Sequence, residues 1–209
     1  MLVFSNARLV IMSVPKTGST AYQQALAPLA SMTISGPPDL KHAPIYRYNR
    51  FFRPMFEKFV DGNMDILAVV REPVSWLGSW YRYRQRPEME GLSNATHGIS
   101  FDDFVLAYSR QKKPAFANVG SQARFLRPTP NGTAARYLFR YEDQAGLIEF
   151  LEHRLETKIT TFPANVSPGV TPPLSTGVEI KLRRVASDDF QLWESIEPGG
   201  TYGSLLASA

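Results

Sequence analysis

A short turn between an apolar run and a helical segment restricts this chain more than any other feature of its sequence. Residues 9–12 are all apolar and predict a buried β-strand, and residues 21–30 predict a helix. Between them lies the sequence VPKTGST, residues 14–20. A glycine in such a turn lets backbone N–H groups approach an anion, and the helix dipole favours negative charge at the helix N-terminus. With a lysine and three hydroxyl side chains added, the segment predicts a site for a phosphorylated ligand.

Predicted strands and helices alternate along the chain. Strands are expected at residues 9–14, 32–34, 66–70 and 136–139, and helices at 21–30, from Pro73 onward, from Ser100 to Tyr108, at 142–156 and at 178–196. Loops are expected at residues 85–98 and 164–177. The run at 66–70 is apolar throughout, which is typical of a central parallel strand buried on both faces. The alternation predicts an α/β fold with a central, mostly parallel sheet flanked by helices, in a single domain covering residues 1–209.

Composition limits the classes of protein to which the chain can belong. Of its 209 residues, 44% are hydrophobic and 20% are charged, which is typical of a globular domain. No apolar stretch approaches the ~20 residues of a membrane-spanning helix. The first strand begins too early to leave room for a signal peptide, and the absence of cysteine excludes a disulfide framework and a thiolate nucleophile. We therefore expect a cytoplasmic protein without a membrane span.

The net charge of +4 favours an anionic ligand. The basic residues are dispersed along the sequence, so we expect no binding of nucleic acid. The densest basic cluster, residues 81–86 with the sequence YRYRQR, predicts a solvated helix end.

The turn at residues 14–20 differs from a Walker A motif, in which four residues separate a first glycine from Gly-Lys-Ser/Thr. Here Lys16 precedes Gly18, and the earlier glycine is missing. The strand at 66–70 is followed by Arg71, so a cation occupies the place where an NTPase has a magnesium-binding aspartate. The sequence therefore favours direct binding of an anion without a metal site. A nucleotide kinase or another NTPase is the first alternative.

Two segments, at the ends of two predicted strands, resemble the sulfotransferase superfamily. Residues 15–20, PKTGST, resemble the family's 5′-phosphosulfate loop. Residues 70–73, VREP, followed by Ser79, are similar to its 3′-phosphate motif, and residues 139–143, FRYED, also resemble the family. The resemblance covers about residues 9–156 and implies a P-loop-type three-layer fold. It implies transfer of a sulfuryl group from 3′-phosphoadenosine-5′-phosphosulfate (PAPS) to an acceptor hydroxyl or amine, without a metal.

The resemblance also implies roles for individual residues. It assigns the 5′-phosphosulfate of the donor to Lys16, Thr17, Gly18, Ser19 and Thr20. It assigns the 3′-phosphate to Arg71 and Ser79, and an arginine fork suits a phosphate because it offers two donors in one plane. Lys16 is also expected to act in catalysis, by stabilising the charge that develops on the leaving phosphate.

The acceptor requires a general base, and the family generally uses a histidine or a glutamate. Of the three histidines, His42 follows the short second strand and lies beside Lys41, where the resemblance places a base. An imidazole titrates near neutrality and can accept a proton. We therefore expect His42 to be the catalytic base, with His97 and Glu72 as weaker alternatives and His153 exposed on a helix.

The acceptor itself is not specified by the sequence. The chain lacks the Arg-Lys-Gly-rich segment that typically ends the cytosolic small-molecule branch, which makes it more similar to carbohydrate-type or bacterial sulfotransferases. A soluble bacterial enzyme acting on a glycan, a lipid or a small molecule is the resulting expectation. Aromatic residues at 76, 80, 81 and 83, together with Tyr46 and Tyr48, could line an acceptor cleft or belong to the core. A nucleotide-binding module without activity is the second alternative.

Overall fold

The computed structural model describes residues 1–60, 62–159 and 172–203. A six-stranded sheet flanked by helices forms its framework, which confirms the predicted α/β class. The strands are β1 (Leu2–Phe4), β2 (Leu9–Ile11), β3 (Met32–Thr33), β4 (Asp65–Val70), β5 (Tyr137–Arg140) and β6 (Thr201–Tyr202). They lie in the order β3-β1-β2-β4-β5-β6. Most of the loop expected at 164–177 lies outside the described residues.

The sheet is mixed, with a parallel centre. β2 pairs with β4 and β4 pairs with β5 in parallel, whereas β1, β3 and β6 are joined by antiparallel pairing. The expectation of a mostly parallel sheet is therefore wrong, because three of the five pairings among the described strands are antiparallel and only the centre is parallel. β1 was not predicted, although residues 1–4, MLVF, are as apolar as residues 9–12. It forms a hairpin with β2 through a turn in which the N–H of Arg8 donates to the carbonyl of Ser5 at 3.0 Å.

Ten α-helices occur in the described parts of the chain. They are α1 (Ser19–Leu26), α2 (Pro38–Lys41), α3 (Ile45–Arg47), α4 (Arg53–Phe59), α5 (Pro73–Tyr83), α6 (Phe101–Tyr108), α7 (Gln122–Phe125), α8 (Gln144–Leu155), α9 (Thr176–Val185) and α10 (Ser187–Glu194). A π-helical turn, Tyr48–Phe52, joins α3 to α4. The single helix expected at 178–196 is wrong, because Ala186, with φ −108° and ψ 29°, separates α9 from α10.

Each face of the sheet packs against its own hydrophobic cluster. Val10 and Ala68 point to a cluster that α3 and α4 complete, and Leu9 and Leu67 point to a second cluster with α1 and α8. This burial on both faces explains why the central strands are apolar throughout. A third cluster joins α5, α6, α9 and α10. No helix in the described ranges has both the length and the apolarity needed to cross a membrane.

The carboxyl ends of the three parallel strands meet at one edge of the sheet. In open α/β sheets this edge is where ligands bind. The chain leaves it through residues 12–18 after β2, through Arg71 after β4 and through Tyr141 after β5. The two segments singled out in the sequence therefore emerge side by side.

Candidate functional site

The loop after β2 ends at the N-terminus of α1. Gly18 precedes the first helical residue with φ 76° and ψ 8°, a left-handed conformation that glycine adopts without strain. A Cβ atom at this position would lie 3.2 Å from Cε2 of Tyr141, a tight contact that the ring would have to relieve by shifting. Gly18 has no side chain that could cap α1, and the N–H of Ala21 donates to the carbonyl of Gly18 at 2.9 Å. The N–H groups of Ser19 and Thr20 have no acceptor among the described residues and are available to an anion.

Thr17 stabilises the loop by a hydrogen bond inside it. Its side chain is buried, and its hydroxyl donates to the carbonyl of Val14 at 2.9 Å. The indole nitrogen of Trp76 on α5 donates to the carbonyl of Pro15 at 2.8 Å and ties the loop to that helix. Because the Thr17 hydroxyl is engaged in the loop, the donor that Thr17 can offer a ligand is its backbone N–H.

Lys16 lies between aromatic rings. Its ammonium is 3.2 Å from the ring centroid of Tyr83 and 4.7 Å from that of Trp80. Burial of the side chain lowers the pKa of Lys16 to about 7. Neighbouring positive charges add to this effect, namely those of Arg86, Arg84, Arg71 and Lys41. An anion placed here would restore the charge of the lysine, because an opposite charge favours the ionised form.

Arg71 reaches the same loop from the end of β4. Its Nη1 donates to the carbonyl of Lys16 at 3.3 Å, and its Nε donates to the hydroxyl of Ser75 at 2.9 Å. The guanidinium carbon lies 4.3 Å from the ring centroid of Tyr141. Burial lowers the pKa of Arg71. Two segments that are 55 residues apart in sequence therefore meet at one point.

The backbone of Arg71 is held on both sides by a side chain that the sequence did not single out. The amide of Gln122 accepts from the N–H of Arg71 at 2.9 Å and donates to its carbonyl at 2.7 Å. Asp189 on α10 accepts from the hydroxyl of Ser121 at 2.9 Å and from the N–H of Ala123 at 2.7 Å. α10 therefore supports α7, and α7 supports Arg71.

The face of α5 that begins with Ser75 continues into Ser79 and Arg82. Ser79 follows Ser75 by four residues, so the two lie on the same side of the helix, and Ser79 is buried. The pKa of Arg82 is lowered by burial and then by the charge of Arg71, which places the two arginines near each other. Arg82 was not among the predicted site residues and adds positive charge beside Arg71.

The expectation of a solvated helix end at residues 81–86 is wrong for two of its members. Tyr81 and Arg84 are each 7% exposed. Nη1 of Arg84 donates to the carbonyl of Ala115 at 2.8 Å. Arg84 follows Tyr81 by three residues and Leu77 by seven, which places it on the buried face of α5. That spacing could have indicated its burial from the sequence.

His42 lies at the C-terminal end of α2, against the start of the loop. Its Nδ1 is 2.6 Å from the carbonyl of Ser13. Because a carbonyl only accepts, Nδ1 carries the hydrogen and Nε2 of the neutral ring keeps its lone pair. Burial lowers the pKa of His42, although the bond to Ser13 opposes this, and the charges of Lys41 and Lys16 lower it further. The ring is therefore neutral at pH 7 and able to accept a proton at Nε2.

The other predicted bases have different surroundings. His97 and His153 are both exposed. The two carboxylate oxygens of Glu72 accept from the N–H groups of Val74 and Ser75, at 3.0 Å and 2.6 Å. Glu72 is therefore the N-terminal cap of α5, and its carboxylate is engaged there.

Lys41 links the two sides of the site. Its ammonium donates to the hydroxyl of Thr20 at 3.4 Å. Arg71, Lys41 and His42 thus each make a hydrogen bond to the loop or to the start of α1, which concentrates positive charge at this edge of the sheet. No group of three or more metal-ligating side chains occurs among residues 1–60, 62–159 and 172–203. The arrangement can hold an anion with several charges and place a neutral imidazole beside it.

No protein-family model matches this chain, and no curated protein matches it. Its function must therefore be inferred from the chemistry of the site.

Proposed function

We propose that this chain is a sulfotransferase that transfers the sulfuryl group of PAPS to an acceptor hydroxyl or amine. The observation that carries the proposal is the hydrogen bond from Arg71 to the carbonyl of Lys16. It joins the two segments whose sequences resemble the family's phosphate motifs. A P-loop-type three-layer fold is part of the proposal, supported by the parallel centre of the sheet and by the helices on both of its faces.

The donor would lie along the edge of the sheet. The N–H groups at the start of α1 and the ammonium of Lys16 bind its 5′-phosphosulfate. Arg71 and Ser79 bind the 3′-phosphate. The guanidinium of Arg71 has more N–H donors than its bonds to Lys16 and Ser75 use, so it can still grip a phosphate.

His42 and Lys16 would act on opposite sides of the transferred group. Nε2 of His42 accepts the proton of the acceptor hydroxyl as the acceptor oxygen forms its bond to sulfur. The bond between sulfur and the bridging oxygen breaks, and its electron pair leaves with the phosphate. Lys16, protonated once the donor is bound, stabilises this developing charge. Position and charge stabilisation account for most of the catalysis, as in phosphoryl transfer.

Transfer of radiolabel from PAPS to a panel of sugars, lipids and small alcohols tests the proposal. We expect labelled product with the wild-type protein and with Lys181→Ala, a substitution on α9, and almost none with Lys16→Ala. Binding of 3′-phosphoadenosine-5′-phosphate without transfer to any acceptor would indicate a nucleotide-binding module. Binding of ATP that depends on magnesium would indicate an NTPase.

A further inference from the structure

The helical segment from Ile45 to Phe59, formed by α3, the π-helical turn and α4, exposes large aromatic side chains. Its inner side is anchored in the core, where Ile45 is fully buried. On its outer side, Phe51 is 61% exposed and Phe59 is 76% exposed, and Tyr46 is 55% exposed. Grouped exposure of large apolar residues marks interaction surfaces, whereas single exposed residues are ordinary.

Positive charges accompany these rings. The guanidinium of Arg50 lies 5.3 Å from the ring centroid of Phe51. The ammonium of Lys58 lies 5.5 Å from that of Phe59. We refer to Tyr46, Arg50, Phe51, Lys58 and Phe59 together as the aromatic–basic face.

The cations of this segment differ in whether they have a carboxylate partner. Two other cations of the segment have carboxylate partners, at 3.6 Å for Arg47 with Asp39 and at 2.6 Å for Arg53 with Glu57. Within the described ranges of the chain, neither Arg50 nor Lys58 forms an ion pair. The face therefore combines apolar area with excess positive charge.

We propose that the aromatic–basic face docks the protein onto a membrane surface that contains anionic lipids. A helix that lies in the interface places its aromatic and apolar side chains at the boundary of headgroups and acyl chains, while its lysines and arginines attract anionic headgroups. The core contacts of the inner side hold the segment along the protein surface, which is the orientation such docking needs. The rings are exposed at intervals along the segment, and a fluid surface can accommodate side chains spread in this way.

The face continues towards the candidate site. Nη1 of Arg47 donates to the carbonyl of Asp39 at 3.1 Å, which joins α3 to α2. Leu40 on α2 is 46% exposed, and His42 lies at the end of that helix. Docking through the aromatic–basic face would therefore bring the loop at Lys41 and His42 close to the membrane surface. The docking does not depend on the proposed function, although it would suit an acceptor embedded in a membrane.

Co-sedimentation with vesicles tests the inference without any assay of activity. We expect wild-type protein to bind vesicles of phosphatidylcholine mixed with phosphatidylserine, to bind phosphatidylcholine alone far more weakly, and to be released by salt. The double variant Arg50→Gln with Lys58→Gln is expected to bind about 30-fold more weakly, because each basic residue near such a surface contributes ~1 kcal/mol. Phe51→Ser with Phe59→Ser is expected to lose more than ~10-fold, because two apolar rings can no longer be buried.

α9 offers matched controls, because it also carries exposed apolar and basic residues. Lys181→Gln with Arg184→Gln removes the same charge, and Ile180→Ser with Val185→Ser removes exposed apolar side chains. Both controls are expected to bind vesicles like wild type, and circular dichroism would show that all variants fold.

Three results would overturn the inference. One is the absence of wild-type binding to the phosphatidylserine vesicles, and another is equal weakening by the α9 controls. The third is a concentration-dependent dimer that Phe51→Ser with Phe59→Ser disrupts, without vesicle binding. That result would assign the face to a second copy of the chain.

Discussion

Lys16 is expected to take up a proton when a phosphate binds beside it. In the ligand-free protein, burial and neighbouring cations lower the pKa of Lys16 to about 7. A phosphate next to the ammonium favours the charged form and moves this pKa back towards its ordinary value of 10.5. In the free protein, Lys16 is therefore about half protonated at pH 7 and only about one-tenth protonated at pH 8.

The size of the effect follows from these fractions. Binding at pH 8 should take up about 0.9 proton, because Lys16 enters the complex mostly neutral and becomes charged there. The affinity should fall about tenfold for each pH unit above 7, up to the pKa of the complex. Below pH 7, Lys16 is charged in both states, so its contribution to the pH dependence disappears.

Calorimetry with 3′-phosphoadenosine-5′-phosphate measures this uptake. Titrations at pH 8 in buffers of different ionisation enthalpy give the number of protons exchanged. Lys16→Met removes the amine but keeps most of the side-chain volume, and it should abolish the uptake and weaken binding by ~1.5–3 kcal/mol. Lys41→Met is the matched control, and it should weaken binding while leaving the proton uptake in place.

An uptake of fewer than about 0.2 protons by wild type at pH 8 would contradict this expectation. So would an uptake by Lys16→Met that equals that of wild type. Either result would mean that the ammonium of Lys16 does not change its protonation at the anion site, contrary to the shift that its burial implies.

Four further outcomes are expected. Arg71→Ala should lose more affinity for PAPS than for adenosine-5′-phosphosulfate, measured by calorimetry, and equal losses would mean that Arg71 does not bind the 3′-phosphate. His42→Ala should lower turnover ~10²–10⁴-fold with donor affinity nearly unchanged. In wild type, the acid limb of the pH–rate profile should lie below pH 6.5, because burial lowers the pKa of His42 from its ordinary value of 6.5. His42→Ala should lack this acid limb. A variant with wild-type turnover would remove His42 from the mechanism. Gln122→Met leaves the backbone N–H and carbonyl of Arg71 without their partner, so it should lower Tm. It should also weaken binding of PAPS more than binding of adenosine-5′-phosphosulfate. An equal effect on both ligands would indicate a purely structural role for Gln122. Lys16→Met should raise the Tm of the ligand-free protein at pH 7 by at least ~2 °C, the shift that about 1 kcal/mol produces in a domain of this size. Tm should rise, because the native protein pays to hold a buried charged ammonium at this pH and the variant has none. Between pH 7 and 10.5 the unfolded chain binds more protons than the native protein, so the stability of wild type rises with pH over this range. An unchanged Tm would count against the burial of Lys16.

Local chemistry made much of the site readable from the sequence. A glycine favours the left-handed backbone turn that Gly18 makes before α1. The apolar runs at 9–12 and 66–70 indicate buried strands. The class of fold and the placement of Arg71 at a strand end depend only on such short-range patterns, and both agree with the structure. The break at Ala186 escaped prediction because a single residue hardly changes a helical pattern, whereas β1 was missed although its residues are as apolar as those of β2.

The charge state and the support of the site were decided by the tertiary structure. The lowered pKa of Lys16 arises from its burial and from the charges of residues on other elements. The hydrogen bond between Gln122 and the backbone of Arg71 joins residues that are 51 positions apart in sequence. Neither can be seen in a local pattern, because desolvation and hydrogen bonding depend on which distant side chains the fold brings within a few ångströms. The sequence determined which residues are suited to holding an anion, and only the folding of α5, α7 and α10 around the sheet edge determined how they meet.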